Sequence, residues 1–270
     1  MKKTAILIFS TFIFINTFAQ SNYKGIVSYD VKFPSKNINN KFKEANLIFN
    51  DSISVFRHST KRRDDAGVSQ KNDGISIKFD YGDEQGQQVY RNYNKKTIIL
   101  RFPKSSLFSD FVVKDTWQPI NWEIVNKFKK IGKYKCQKAV GYFRGRTYTA
   151  WFTEEIPLPY GPWKLFGLPG LILEAEDSEK MFKMEFRSIK YPCECNYNFK
   201  YPTANEEKTL KELVEFSDNY DDYVLKRMRA KLPRNMANKL RKNPNGKNTK
   251  SRKFRKEKIF EWETEEKKDK

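Results

Sequence analysis

The sequence predicts a mainly β fold of the α+β class: a curved antiparallel sheet or partly open β-barrel, a C-terminal amphipathic helix and a basic tail. Short segments of alternating apolar and polar residues recur every ~8–12 residues between turn formers, which is typical of an antiparallel meander. Apolar residues at helical spacing occur only in the last third of the chain. A run of basic residues follows them.

Four segments are predicted: a signal peptide at 1–19, an antiparallel β domain at 20–200, a covering helix at 201–233 and a basic, partly disordered tail at 234–270. The first has a basic start, an apolar centre and Ala19 at a small-residue cleavage position, although cleavage after Gln20 also fits. Its apolar run is too short for a membrane anchor, and no Cys stands at the cleavage point. We therefore expect a periplasmic or secreted protein that does not span the membrane after signal cleavage.

The first half of the β domain is predicted to be a series of short strands. Residues 25–33 place Val27, Tyr29, Val31 and Phe33 on one face, and Pro34 ends the strand. Asn50 and Asp51 form the turn of a hairpin between 45–49 and 52–56. Further strands are predicted at 75–81, 88–93 and 97–102.

The second half is predicted to hold more strands and then the helix. Strands at 108–113 and 121–124 flank a wide connection, and two hairpins follow, at 134–153 and 171–189. Thr203 and Glu206 match a capping box, so we expect one amphipathic helix that begins there and ends near Pro233.

The densest cluster of turn formers beside large apolar residues lies at 161–173. Pro169 fixes φ at about −65° and Gly170 accepts a positive φ, which predicts a type II turn at 168–171. The neighbouring apolar side chains need cover, so we expect the loop to pack onto the sheet as a plug.

Residues 167–172 read Gly-Leu-Pro-Gly-Leu-Ile. With Tyr134 to Ala139, Trp151-Phe152-Thr153, Ile156-Pro157 and Gly161-Pro162, this hexapeptide resembles the signature of the GLPGLI family, small secreted proteins of Bacteroidetes. The resemblance implies an envelope location and a fold more than a chemistry, since the family has no established activity. Residues 258–262 depart from the Asn-Pro-Ile-Glu-Leu-like strand expected near the C-terminus of a family member.

The motif and candidate binding residues are Trp151, Pro157, Gly161, Pro162, Trp163, Gly167, Leu168, Pro169, Gly170, Leu171 and Ile172. The aromatic share of 15% favours a binding module, because a curved sheet lined by aromatic rings can enclose an apolar cavity for a lipid-like ligand. In that hypothesis Trp151, Trp163, Phe166 and Leu168 lie at the mouth beneath a helical lid. The alternatives are that these aromatics fill a packed core, or that exposed Trp163 and Leu168 dock an outer-membrane protein.

An enzyme is the less favoured class. His58 is the only histidine, and no G-x-S-x-G nucleophile motif or phosphate-binding glycine motif is present. A hydrolase would have to use carboxylates such as Glu154, Glu155 and Glu174, whose placement in or beside strands favours solvent exposure. We expect no catalytic residues and no cofactor.

The three cysteines would meet an oxidising compartment after export. We expect Cys136 to pair with Cys193 or Cys195, because a bond between the last two closes a small ring. A metal site using Cys193 and Cys195 has the wrong spacing for zinc, so none is expected.

Most of the net charge of +20 comes from residues 226–258, where 15 basic residues are opposed only by Glu257. Such a run is typical of a solvated arm, and its functional alternative is adhesion to an anionic envelope surface. No nucleic-acid-binding signature accompanies it, so no nucleic acid partner is expected.

Overall fold

The computed structural model describes residues 24–33, 42–58, 67–71, 74–78, 82–238, 240 and 252–265. The predicted signal peptide lies outside these residues. The strands are β1 Gly25–Lys32, β2 Lys43–Phe49, β3 Ile53–His58, β4 Gly67–Lys71, β5 Gly74–Lys78, β6 Gln87–Asn92, β7 Thr97–Phe102, β8 Phe111–Asp115, β9 Trp122–Ile131, β10 Tyr134–Phe143, β11 Arg146–Thr153, β12 Leu171–Asp177, β13 Lys183–Lys190 and β14 Glu206–Thr209.

Helical structure follows the sheet in the chain. The helices are α1 Leu210–Asp218, α2 Tyr220–Lys231, α3 Arg234–Ala237, a 3₁₀ helix at Arg252–Phe254 and α4 Glu261–Glu265. No helix in the described part of the chain is long and apolar enough to cross a membrane.

Twelve of the described strands form one sheet, in the order β14-β8-β7-β6-β3-β2-β1-β13-β12-β11-β10-β9. One meander runs from β1 to one edge and another returns from β9 to β13, and the two meet where β1 pairs antiparallel with β13. The mainly β prediction is confirmed. The sheet is not closed into a barrel, and it is mixed, because β14 pairs parallel to β8.

Chain connectivity shows that this sheet is strongly curved. β8 and β9 lie ten positions apart in the sheet order, which would separate them by about 48 Å if the sheet were flat. Only residues 116–121 connect them, and a fully extended chain of that length reaches about 25 Å. The two halves of the sheet must therefore curl toward each other around a common interior.

The alternating apolar and polar residues of β1 show how the sequence places apolar side chains in that interior. Its burial alternates residue by residue, and Val27, Tyr29 and Val31 are fully buried. These side chains belong to a large apolar cluster that also contains residues of β10 to β13 and of the loop after β11. The core thus occupies the concave side of the sheet.

The predicted single helix is wrong in two respects. The capping box is formed by Thr209 and Glu212, one strand later than predicted, because Glu206 begins β14 and pairs with β8. Asn219 then separates α1 from α2, which ends at Lys231 before Pro233, as expected.

The predicted cysteine pairing is also wrong. Cys193 and Cys195 form a disulfide with a Cα–Cα distance of 5.2 Å, and Cys136 is free and buried in β10. In an extended chain, residues two apart point to the same side, which brings the two sulfurs together. The bond removes both thiolates from the metal site considered as an alternative. In the described residues, no group of three or more His, Cys, Asp or Glu side chains could hold a metal ion.

Candidate functional site

The loop between β11 and β12, residues 154–170, enters the concave interior, and we call it the plug loop. Trp163 is 3% exposed and Leu168 is 1% exposed. The Trp163 ring contacts Phe143, Tyr148 and Phe182, whose centroids lie 5.9, 6.3 and 5.0 Å away. The expected plug is confirmed, and a docking surface made of exposed Trp163 and Leu168 is wrong because both side chains are covered by the sheet.

The other motif residues divide between interior and surface. Pro157, Gly167 and Pro169 are exposed, and Trp151 is half-buried, with Lys129 Nζ 4.6 Å from its ring centroid. The remaining predicted motif residues, Gly161, Pro162, Gly170, Leu171 and Ile172, are buried. The structure therefore brings only part of the predicted set together.

The predicted type II turn at Pro169 and Gly170 is wrong. Gly167, not Gly170, has the positive φ, at +96°. Gly170 instead allows close approach, since a Cβ there would lie 2.1 Å from the carbonyl oxygen of Thr153. Trp163 also has a positive φ of 52°, a strained conformation for a bulky residue that the surrounding packing must hold.

Arg91 of β6 fixes the plug loop from the opposite wall. Its side chain is fully buried, and Nη2 donates to the Gly161 carbonyl at 2.7 Å. Nη1 reaches the Leu165 carbonyl at 3.5 Å, and the guanidinium carbon lies 5.4 Å from the Phe166 ring centroid. The charge is thus held by carbonyl dipoles and an aromatic face.

A largely buried charged cluster joins the plug loop to the C-terminal part of the chain. It consists of the buried residues Asp115, Arg144 and Lys164 and the half-buried residues Glu257 and Glu261. Lys164 Nζ lies 2.5 Å from Asp115 and 2.7 Å from Glu257. Arg144 contacts Asp115 at 2.8 Å, Glu257 at 2.5 Å and Glu261 at 2.8 Å. The cluster therefore anchors residues 252–265, which we call the C-terminal segment, to β8 and the plug loop.

Opposing effects set the protonation of the cluster. Burial of Asp115 acts to raise its pKa, but Lys164 and Arg144 outweigh burial and hold that pKa below its usual value. Burial likewise opposes the charge of Arg144, but Glu257 and Asp115 raise its pKa above the ordinary value. Asp115 and Arg144 are therefore both charged at neutral pH.

A cavity of about 330 Å³ lies beside this cluster, between β6, β7, α1, the plug loop and the C-terminal segment. Its apolar lining includes Val89, Leu100, Phe102, Trp163, Leu213 and Phe260. Its charged lining includes Lys164, Arg255, Lys256 and Glu257. The volume is at the lower end of the ~300–1,000 Å³ typical of small-molecule sites.

Lys256 is the unusual charged group of the cavity. Its Nζ lies 3.7 Å from the centroid of the Phe33 ring. Burial, and then the nearby positive charge of Lys164, lower its pKa to about 7. At pH 7, about half of the protein molecules therefore carry Lys256 as the neutral amine and half as the charged ammonium.

The residues proposed for acid/base work do not share a cleft in the part of the chain described. Glu154 and Glu155 are exposed, and Glu155 accepts a hydrogen bond from the backbone amide of Lys135. Glu174 forms an ion pair with Lys129. His58, the only histidine, is buried at the end of β3, where Nε2 lies 2.8 Å from the side-chain oxygen of Gln87.

Sequence reasoning missed Arg91, Arg144, Lys164 and Lys256. Lys164 lies within the predicted motif stretch, but a lysine between Trp and Leu carries no signal that it is buried. The apolar residues Ile259, Phe260 and Trp262 at the end of the basic tail were the available sign that this part of the tail packs against the domain.

Comparison with known proteins gives one family match. Residues 143–174 match the model of a family described as "Protein of unknown function (Porph_ging)". The matched segment contains β11, the plug loop and the start of β12, and is compatible with a protein of a Bacteroidetes family. No curated protein matches the chain.

Two solved structures of PNGF-II are similar to the chain at 16% identity. They have TM-scores of 0.47 and 0.49 and cover 77% and 76% of this chain. The chain in turn covers 34% and 33% of theirs, so it spans about a third of the length of the structures it matches.

Proposed function

We propose that the protein is an exported, non-enzymatic binding module of the cell envelope, of the GLPGLI type, whose cavity takes an apolar or lipid-like ligand. The observation that carries this proposal is the cavity of about 330 Å³ between the plug loop, α1 and the C-terminal segment. Leu213 and Val214 of α1 contribute to its wall, which gives the predicted covering helix a role beside the ligand.

The position of the cavity also supports binding over catalysis. Trp163 and Lys164 place the motif stretch at the cavity wall, where burial of an apolar ligand would remove further apolar surface from water. The carboxylates considered for a hydrolase lie elsewhere and are exposed or paired, so they give no acid/base pair at this cavity.

The proposed location is the periplasm or the exterior, after removal of residues 1–19. The proposed secondary contact is electrostatic attraction of the basic tail to an anionic envelope surface, at ~1 kcal/mol for each basic side chain near that surface. Docking to an outer-membrane protein is the alternative, and it would have to use a surface other than Trp163 and Leu168, which are buried.

Native mass spectrometry of the mature protein from its own envelope, with lipid extraction, tests the binding proposal. We expect a stoichiometric apolar or lipid-like molecule that is lost in Leu213→Trp, which fills the cavity. The matched control is Ile124→Trp, which adds the same side chain at a position that is 47% exposed on β9. An empty wild-type protein that also binds no added amphiphile would contradict the proposal.

A further inference from the structure

The basic side chains that line the cavity differ in whether a carboxylate compensates their charge. Three basic side chains line it, and two of them already have carboxylate partners. Lys164 binds Asp115 and Glu257, and Arg255 binds Asp218. Their charges are therefore compensated within the protein.

Lys256 differs from these two. No carboxylate in the described residues forms an ion pair with it, and its ammonium rests on the face of the Phe33 ring. A cation–π contact stabilises a cation less than an ion pair does when both are shielded from water. Lys256 is half-buried, and a cavity wall that carries an ammonium with no carboxylate in ion-pair contact is complementary to an anion.

We propose that the cavity binds a single-chain amphiphile with an anionic headgroup, such as a long-chain carboxylate, with the chain against Leu100, Leu213 and Phe260 and the headgroup at Lys256. This inference rests on the proposed function and adds the chemical class of the ligand. The apolar wall distinguishes such a ligand from a small free anion, which would leave that wall exposed to water.

The same arrangement predicts how binding depends on pH. The groups that face Lys256 are Lys164 on the plug loop, Glu257 on its own segment and Lys43 on β2, and His58 lies beyond the Phe33 ring. Because the pKa of Lys256 is about 7, its ammonium is mostly charged at pH 6 and mostly neutral at pH 8. The carboxylate ligand should therefore bind up to ~10-fold more tightly at pH 6 than at pH 8.

Calorimetric titration of the mature, full-length protein with decanoate, 1-decanol and acetate tests the inference. We expect decanoate to bind about 10-fold more tightly than 1-decanol at pH 6, and acetate not to bind. Lys256→Met should remove the preference for decanoate and its pH dependence while 1-decanol still binds, and Lys256→Gln provides a second variant if the first is poorly folded. Lys253→Met is the matched control, because Lys253 is an exposed lysine of the same segment.

The outcomes distinguish a failure of the headgroup assignment from a failure of the proposed apolar-ligand binding. Equal binding of decanoate and 1-decanol by the wild type would overturn the headgroup assignment and leave an apolar ligand in place. Acetate binding as tightly as decanoate would overturn the amphiphile in favour of a free anion. If neither decanoate nor 1-decanol binds, the proposed function fails together with this inference.

Discussion

Arg91 is a fully buried cation that interacts with backbone carbonyls. Burial acts to lower its pKa, and the polar groups around it must offset the cost of removing its charge from water. Arg91 donates to the carbonyls of Gly161 and Leu165, so the plug loop supplies part of the stabilisation that offsets this cost. The residue therefore couples the shape of the plug loop to the stability of the sheet.

Replacing Arg91 with Met should lower the free energy of unfolding by ~2–3 kcal/mol, because two buried carbonyls lose a charged donor. Urea unfolding followed by tryptophan fluorescence measures this change. The control is Arg187→Met, which removes an exposed arginine paired with Glu44 and should cost less than ~1 kcal/mol. Equal losses in the two variants would show that Arg91 does not hold the plug loop.

Lys256 should make the protein more stable as the pH rises. Its folded-state pKa is about 7, whereas an unfolded lysine has a pKa of ~10.4. Between these two values the unfolded chain binds more protons than the folded protein, so the free energy of unfolding increases with pH. The cost of burying the ammonium is fully present below pH ~7 and is relieved above it.

We expect a gain of roughly 2 kcal/mol between pH 7 and pH 9 in the wild type, and a smaller gain in Lys256→Met. Urea unfolding at the two pH values gives both numbers, and Lys253→Met should behave as the wild type does. A Lys256→Met protein with the same pH response as the wild type would assign the effect to another group.

At the scale of elements, the hairpins were predicted correctly because their signals are local. Asn50 and Asp51 mark the β2–β3 turn, and residues 144 and 145 mark the β10–β11 turn, within the few residues that form each turn. The parallel pairing of β14 with β8 was missed, because it joins residues about 95 positions apart and leaves no local pattern. The N-terminal cap of the helix was predicted at the wrong residues for the same reason, since Glu206 begins β14 and pairs with β8.

The plug loop shows a second limit of sequence reasoning. Pro169-Gly170 suits a type II turn in isolation, but the glycine is needed for its lack of a side chain rather than for a positive φ. The partner that requires this, the carbonyl of Thr153, becomes a neighbour only when β11 and the plug loop are folded together. The charged cluster could not be predicted for the same reason, since its members come from four separate parts of the chain.

This difference between the glycines can be measured. Gly170→Ala should destabilise the protein by ~2 kcal/mol or more, because its Cβ would lie 2.1 Å from a backbone oxygen that cannot easily move. Gly167→Ala should cost ~1 kcal/mol, from the positive φ alone, because nothing lies within 4 Å of its Cβ. Thermal unfolding of the two variants gives the order, and a larger loss for Gly167→Ala would contradict it.

We expect Glu257 to hold the C-terminal segment more strongly than the exposed ion pairs of the segment do. Glu257→Gln keeps the shape of the side chain but leaves Lys164 and Arg144 with less negative charge in a buried place. We expect the segment to open more easily, by ~2–3 kcal/mol. Hydrogen exchange reports this directly, since the amides of Lys258 and Ile259 donate to the Arg144 carbonyl.

Glu179→Gln is the control for that change. Glu179 also contacts the segment, through Lys258, but its side chain is 42% exposed, so its loss should cost less than ~1 kcal/mol. Unchanged exchange at Lys258 and Ile259 in Glu257→Gln would show that the apolar contacts of Phe260 hold the segment without the charged cluster.

At the scale of the whole molecule, the curled sheet makes one continuous core out of two meanders. Tyr29 at the centre of β1 donates to the Ile172 carbonyl of β12 at 2.6 Å, across the interior. Phe49 of β2 and Tyr93 after β6 both contact the Tyr160 ring of the plug loop. Opening one meander would therefore expose the other, so we expect the sheet to unfold as a single cooperative unit.

Cys136 provides a test of that cooperativity. Its thiol is buried in β10, and burial, together with the negative charge of Glu174, raises its pKa to about 12. In the native protein it should resist alkylation by iodoacetamide, because the thiolate is the reactive form. In urea without reductant, intact-mass analysis should show one alkylated thiol, since Cys193 and Cys195 are bonded to each other.

The midpoint of Cys136 alkylation in urea should coincide with the midpoint reported by tryptophan fluorescence. Addition of reductant in urea should raise the number of alkylated thiols to the three cysteines of the chain. Alkylation well below the fluorescence midpoint would mean that β9 and β10, at one edge of the sheet, open before the core around the plug loop. The molecule would then have two units of stability rather than the one that its shared interior predicts.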